Sequence, residues 1–193
     1  MDKGRLESFS DGVIAIIITI MAIVIEPPDD YDLPALINML PQILMYAVSF
    51  FMIGVNWINH HLLMNTISRV NGKILWANLL YLFFLSFCPV ATGWVGKSRF
   101  APIPLRCYAV MHLLIALGYL LLEHVIAAGQ QNIAPKAALR SRTKEILAIV
   151  LIAAGVLITF TDAIRMASFA AFIASTAIWA LPDKRVGETI SQE

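Results

Sequence analysis

The sequence predicts an all-α membrane protein, a six-transmembrane-helix bundle forming a single domain over residues 1–193. Three observations carry this reading. Apolar residues make up 59% of the chain and charged residues only 14%, against about 45–50% and about 25% in soluble domains. Six apolar segments, roughly 4–25, 33–65, 72–95, 102–128, 143–161 and 163–181, take up most of the length. The stretches between them are short and leave no room for a separate soluble domain. A net charge of +1 gives no hint of nucleic-acid binding.

The first segment is unusual. Its charge-free part, Gly12 to Ile25, has fourteen residues. At about 1.5 Å per residue that is about 21 Å, short of the bilayer's hydrocarbon core of about 30 Å. To span, the helix must draw in Arg5, Ser10 and Asp11. Pro27 and Pro28 end it, since proline cannot continue the hydrogen-bond ladder. Acidic residues flank the run on both sides and no small-residue cleavage site precedes EPPDD, so a cleaved signal peptide is not expected.

The second segment is long enough to extend beyond the membrane. Near its end it carries Asn56, Trp57, Asn59, His60 and His61. The third holds the run NLLYLFFLSFCP. The fourth has Arg106 and Glu123 near its two ends, where long side chains can reach the interface. The fifth and sixth are joined by a very short connection around TDAIR, which predicts a tight antiparallel hairpin. Cys88 and Cys107 fall in or near apolar segments and read as buried thiols packed as small hydrophobes. No internal duplication is visible.

Loop charge sets the orientation. With the N-terminus cytoplasmic, Lys3, Arg5, Arg69, Lys73, Lys136, Arg140, Arg142, Lys144, Lys184 and Arg185 lie inside; Lys97, Arg99, Arg106 and Arg165 lie outside. Ten against four favours both termini in the cytoplasm. The acidic loop with Glu26, Asp29 and Asp30 then faces out, either as a mouth that concentrates cations or as a plain solvated loop. Trp57, Trp76, Trp94 and Trp179 are candidate interface anchors, with internal packing as the alternative for Trp57.

On a helical wheel at about 100° per residue, Phe9, Gly12, Ile16, Thr19, Ile20 and Ile23 fall within roughly 60° of one direction. Asp11 points almost the opposite way. A carboxylate at membrane depth costs about 2.5–3.5 kcal/mol, so Asp11 needs partners. Arg5, Ser10 and one of His60 and His61 are placed to satisfy it, with Trp57 near by. Two other function classes are open to these residues. A small proton- or ion-coupled transporter would use Asp11 and the two histidines as a relay, though such carriers show repeats or broken helices. An enzyme is not expected: the adjacent histidines point about 100° apart, and HExxH, CxxC and phosphate-loop patterns are missing from the sequence.

The run R-x-x-x-F-S-D-G (Arg5, Phe9, Ser10, Asp11, Gly12), followed by Ala15, Ile16, Ile18 and Thr19, resembles the first helix of the transmembrane protein 175 family of potassium channels. Ser49 to His61 and the NLLYLFFLSFCP run are similar to the same family, and one six-helix unit resembles its prokaryotic form. The resemblance implies a homotetramer in a prokaryotic plasma membrane, with four first helices around a central pore. It implies moderate potassium preference without a TVGYG filter, and no cofactor beyond the permeating potassium ions. The constriction it implies is apolar, a hydrophobic gate at Ile16, Ile20 and Ile23, with Thr19 as the polar layer. Its partners are further copies of the chain, potassium ions and membrane lipids. Relatives often carry leucines where this chain reads AIIITIMAIVIE, which leaves open whether Ile20 or Ile23 forms the narrower ring.

Overall fold

The computed structural model describes residues 2–129 and 142–180, and every described element is helical. The elements are α1 (Lys3–Ile23), α2 (Leu33–Asn65), α3 (Gly72–Leu85), α4 (Cys88–Lys97), α5 (Pro102–Gly129), α6 (Arg142–Ile158), a 3-10 turn (Arg165–Ala167) and α7 (Ser168–Ala180). Lys136, Arg140, Lys184 and Arg185, which entered the charge count, lie outside the described residues.

Among the described residues, four stretches are long and apolar enough to cross a membrane: α1, α2, α3 with α4 (Gly72–Lys97), and α5. The remaining apolar helical stretches, Ile146–Ile158 and Arg165–Ala180, are shorter. The segment expected at 72–95 divides at Ser86 and Phe87. Pro89, near the start of α4, has no N–H to give the carbonyl of Leu85, and its ring crowds that oxygen. The Ser86 hydroxyl instead donates to Phe83 O at 2.7 Å.

The last expected segment, 163–181, becomes helical only from the 3-10 turn onward. The connection before it is held by side chains. Arg106 Nε donates to Thr159 O at 3.2 Å, its guanidinium lies 4.9 Å from the Phe160 ring centroid, and Asp162 is 3.6 Å away. Arg106 therefore clamps the α6–α7 connection onto α5 instead of simply reaching for water. Of the two cysteines, Cys88 is buried as expected, but Cys107 is exposed because it lies on the outward side of α5.

The core lies between α1, α2, α4 and α5, with α3 packed on α5, and α6 and α7 paired on the flank. Buried Met45, Ile53, Tyr81, Leu85, Leu105 and Tyr108 fill its centre. Gly96 sets the distance between α4 and α2: a Cβ there would stand 2.8 Å from Gln42 Cα, so only glycine permits this approach. Two non-glycine residues, Arg99 (φ 51°) and Phe100 (φ 64°), take the left-handed conformation that turns α4 into α5. The turn is closed by Arg99 N–H to Gly96 O (3.2 Å) and Phe100 N–H to Val95 O (3.0 Å).

The bundle has two distinct ends. Lys3 Nζ donates to Asn65 O at 3.2 Å, which brings the start of α1 to the end of α2. At the other end Lys97 pairs with Glu26, and Arg99 Nη2 donates to Asn38 Oδ1 at 2.8 Å.

Candidate functional site

α1 has two faces of opposite character. Leu6, Ser10, Ile14, Ile17 and Met21 recur at spacings of three and four and are buried in the bundle. The stripe predicted from the wheel lies outside it. Phe9, Gly12, Ile16, Thr19, Ile20 and Ile23 are all exposed in the single chain, Ile16 by 60% and Ile23 by 74%. Along this face Thr19 has its hydroxyl hydrogen committed, donated to Ala15 O at 2.9 Å. The oxygen lone pairs remain, so Thr19 presents an acceptor where its neighbours present methyl groups.

The polar start of α1 is tied to α2 and α3 through two separate links. In the first, Trp57 Nε1 donates to Asp11 Oδ1 at 2.9 Å. The His61 ring stacks on that indole at 6.0 Å, and its Nε2 lies 3.3 Å from Asn65 Nδ2. In the second, Ser10 Oγ donates to Leu6 O (2.9 Å) and accepts from Asn78 Nδ2 (2.9 Å), while Asn78 Oδ1 meets His60 Nε2 at 2.8 Å. His60 lies nearly parallel to Tyr81, 5.6 Å away, and Tyr81 OH donates to Asn56 Oδ1 at 3.2 Å. Ser10, His60 and Asn78 are all buried.

This differs from the expected arrangement in three ways. Ser10, Asp11 and a histidine do not form one cluster: Asp11 goes to the indole and Ser10 to the amide. His60 and His61 separate, as adjacent residues on a helix must, one buried and one exposed. Arg5 joins neither link. It is exposed and has no ion-pair or hydrogen-bond partner among the described residues, because its position on α1 points it away from α2 and α3. Asn78 was not anticipated. A lone amide in an otherwise apolar run, at the same end of the bundle as Ser10, was the available signal.

At the opposite end Glu26 is not a free charge. Lys97 Nζ reaches its two carboxylate oxygens at 2.9 and 2.8 Å. Asp29 and Asp30 are exposed and make no ion pair among the described residues. Among the described residues, no group of three or more His, Cys, Asp or Glu side chains is placed to hold a metal ion.

Residues 5–89 match the model of the family described as endosomal/lysosomal potassium channel TMEM175. A protein of Chryseobacterium sp. (strain P1-3), named a potassium channel, is 41% identical over 193 residues, all of both chains. The chain belongs to the TMEM175 family. A second relative, named a potassium channel, from Chamaesiphon minutus (strain ATCC 27169 / PCC 6605), is 30% identical over 145 residues, 70% of this chain and 71% of the other. Among solved structures, one described as a crystal structure of a lysosomal potassium-selective channel TMEM175 homolog from Chamaesiphon minutus superposes with a TM-score of 0.62. It is 24% identical and covers 90% of this chain and 97% of the other, so it shows a shared fold. The segment matched by the TMEM175 family model runs from Arg5 to Pro89 and so includes the exposed stripe of α1 and both polar links. The family is one of channels, in keeping with a protein that is not an enzyme.

Proposed function

We propose that this TMEM175 member is a potassium channel in which four copies of α1 surround a central pore. The observation that carries the reading is the exposed face of α1. A helix buried on one side and anchored at its polar end keeps Ile16, Thr19, Ile20 and Ile23 outside the subunit. Four copies turn that exposed stripe inward as rings.

Rings of isoleucine close a pore by dewetting, because a narrow apolar tube strips an ion's hydration shell without replacing it. Potassium sheds water more readily than sodium, so such a tube favours potassium moderately. The Thr19 oxygens supply one polar resting place between the apolar rings. The orientation is that of the loop charges, with both termini cytoplasmic in a prokaryotic plasma membrane. Outer-mouth attraction for cations falls to Asp29 and Asp30, since Lys97 offsets Glu26. The carrier reading has less support: Asp11 and His60 end on different partners, so they do not form a relay.

The test is flux through the purified protein in liposomes under a potassium or sodium gradient. A channel passes potassium in preference to sodium without saturating at millimolar concentrations. Saturable flux that moves protons stoichiometrically would replace this proposal with the carrier.

A further inference from the structure

A lateral groove opens between the start of α3 and the end of α5, at the end of the bundle that carries Lys3. Its volume is about 990 Å³, at the upper end of the roughly 300–1,000 Å³ of small-molecule pockets. The wall is apolar, with Trp76, Leu80, Leu121 and Val125 along it. Trp76 is 74% exposed. The mouth is basic. Lys73 and His124 stand there, both exposed, and neither has an ion-pair or hydrogen-bond partner among the described residues. Among the described residues, no Asp or Glu lines the groove.

We propose that this groove is a binding site for an anionic phospholipid, held by its acyl chains along α3 and α5 and by its phosphate at Lys73 and His124. Three features point to this occupant. The groove lies on the flank of two stretches long and apolar enough to cross a membrane, Gly72–Lys97 and Pro102–Gly129. Lys73 and His124 lie at the end of the apolar wall, with Lys73 one turn from Trp76, an exposed tryptophan of the kind that marks the membrane interface. The lining charge is of one sign, which matches an anionic headgroup and not a zwitterionic one. On the orientation proposed above the site faces the cytoplasmic leaflet. The inference rests on the chain lying in a membrane and is independent of where the pore is.

The experiment measures lipid retention without measuring flux. Purified full-length protein is equilibrated with equal amounts of phosphatidylglycerol and phosphatidylcholine of the same acyl composition, and bound lipid is counted by native mass spectrometry. Wild type retains phosphatidylglycerol about fivefold over phosphatidylcholine. The Lys73→Gln/His124→Gln variant loses most of that preference while unfolding at the same temperature in phosphatidylcholine. An unchanged preference in the folded double variant overturns the headgroup assignment. Brominated phosphatidylglycerol supplies a second readout: it quenches the part of the fluorescence that Trp76→Phe removes. No quenching of that part means that protein covers the groove, from residues 130–141 or a second copy, and the proposal fails.

Discussion

Trp57 and Asp11 meet at 2.9 Å, with the indole N–H of α2 donating to the carboxylate of α1. Together with the buried face of Leu6, Ser10, Ile14, Ile17 and Met21, the bond fixes the rotation of α1 about its own axis. Asp11 lies on the side of the helix away from Ile16, so a helix held by Asp11 cannot turn its isoleucine stripe into the subunit. Trp57→Phe keeps the ring and removes the donor. It should lower stability by about 1 kcal/mol, more for Asp11→Ala. Thermal unfolding of the solubilised protein, with oligomer size read alongside, checks this. If Asp11→Ala assembled normally and changed ion selectivity, the carboxylate would belong to the conduction path and not to the anchor.

The link through Asn78 should behave as a unit. Asn78→Leu strands His60 Nε2 and takes the donor from the Ser10 oxygen, whose hydroxyl still donates to Leu6 O, whereas Ser10→Ala strands one amide hydrogen. Each orphaned buried group costs about 1–3 kcal/mol. Asn78→Leu should therefore be the more damaging substitution. The Ser10→Ala/Asn78→Leu double variant should be less unstable than the sum of the two, by about 0.5–3 kcal/mol. Strict additivity in a thermal-unfolding cycle would mean that the two side chains do not share a bond.

Gly96 offers a purely steric test. Its missing Cβ leaves room for the Gln42 backbone. Gly96→Val forces α4 away from α2 and should cost about 1–3 kcal/mol. Gly54, with nothing within 4 Å of an added Cβ, is the control: Gly54→Ala should be neutral or slightly stabilising. Equal effects at both positions would count against the close approach of α4 and α2.

The pore assignment predicts opposite outcomes for neighbouring residues. Ile16→Asn and Ile23→Asn should each raise liposomal potassium flux severalfold, because a wetted ring no longer blocks. Ile17→Asn, one residue along but buried in the bundle, should reduce folded protein instead. Thr19→Val should keep flux and weaken the preference for potassium over sodium. Unchanged flux in both Ile16→Asn and Ile23→Asn would take these residues out of the pore.

At the mouth, Glu26→Gln should alter conduction little, since it removes a charge that Lys97 already offsets. Asp29→Asn/Asp30→Asn should lower inward potassium flux at low ionic strength, and the deficit should vanish at high salt as screening sets in. A salt-independent deficit would point to a structural role for the loop.

The two faces of α1 were legible because helical periodicity is a local property: residues three and four apart share a side whatever surrounds them. The end of α3 was also written in the sequence, at Pro89, but a continuous apolar run hides a break that costs only one hydrogen bond. Partner choice was not legible. Arg5 and Asp11 are near in sequence and opposite in charge, yet the hydrogen bond went to an indole forty-six residues away. Asn78 stood out as a lone amide in an apolar run, but only packing shows that it faces Ser10.

The placement of the links makes α1 a lever. Near its start the helix is fastened by the buried Ser10–Asn78 bond, with the exposed Asp11–Trp57 bond beside it. At its far end the hydrogen bonds from Glu26 N–H to Gln42 Oε1 and from Lys97 to Glu26 are exposed and compete with water. Asp11 and Ile23 are about 18 Å apart along the axis. A tilt of about 3° about the fastened end moves Ile23 by about 1 Å and Ile16 by less than half of that. In a ring of four, the aperture at Ile23 would widen by about 2 Å while the fastened end kept its shape. Small motions would then be amplified where the isoleucines stand, with no need for a separate moving part.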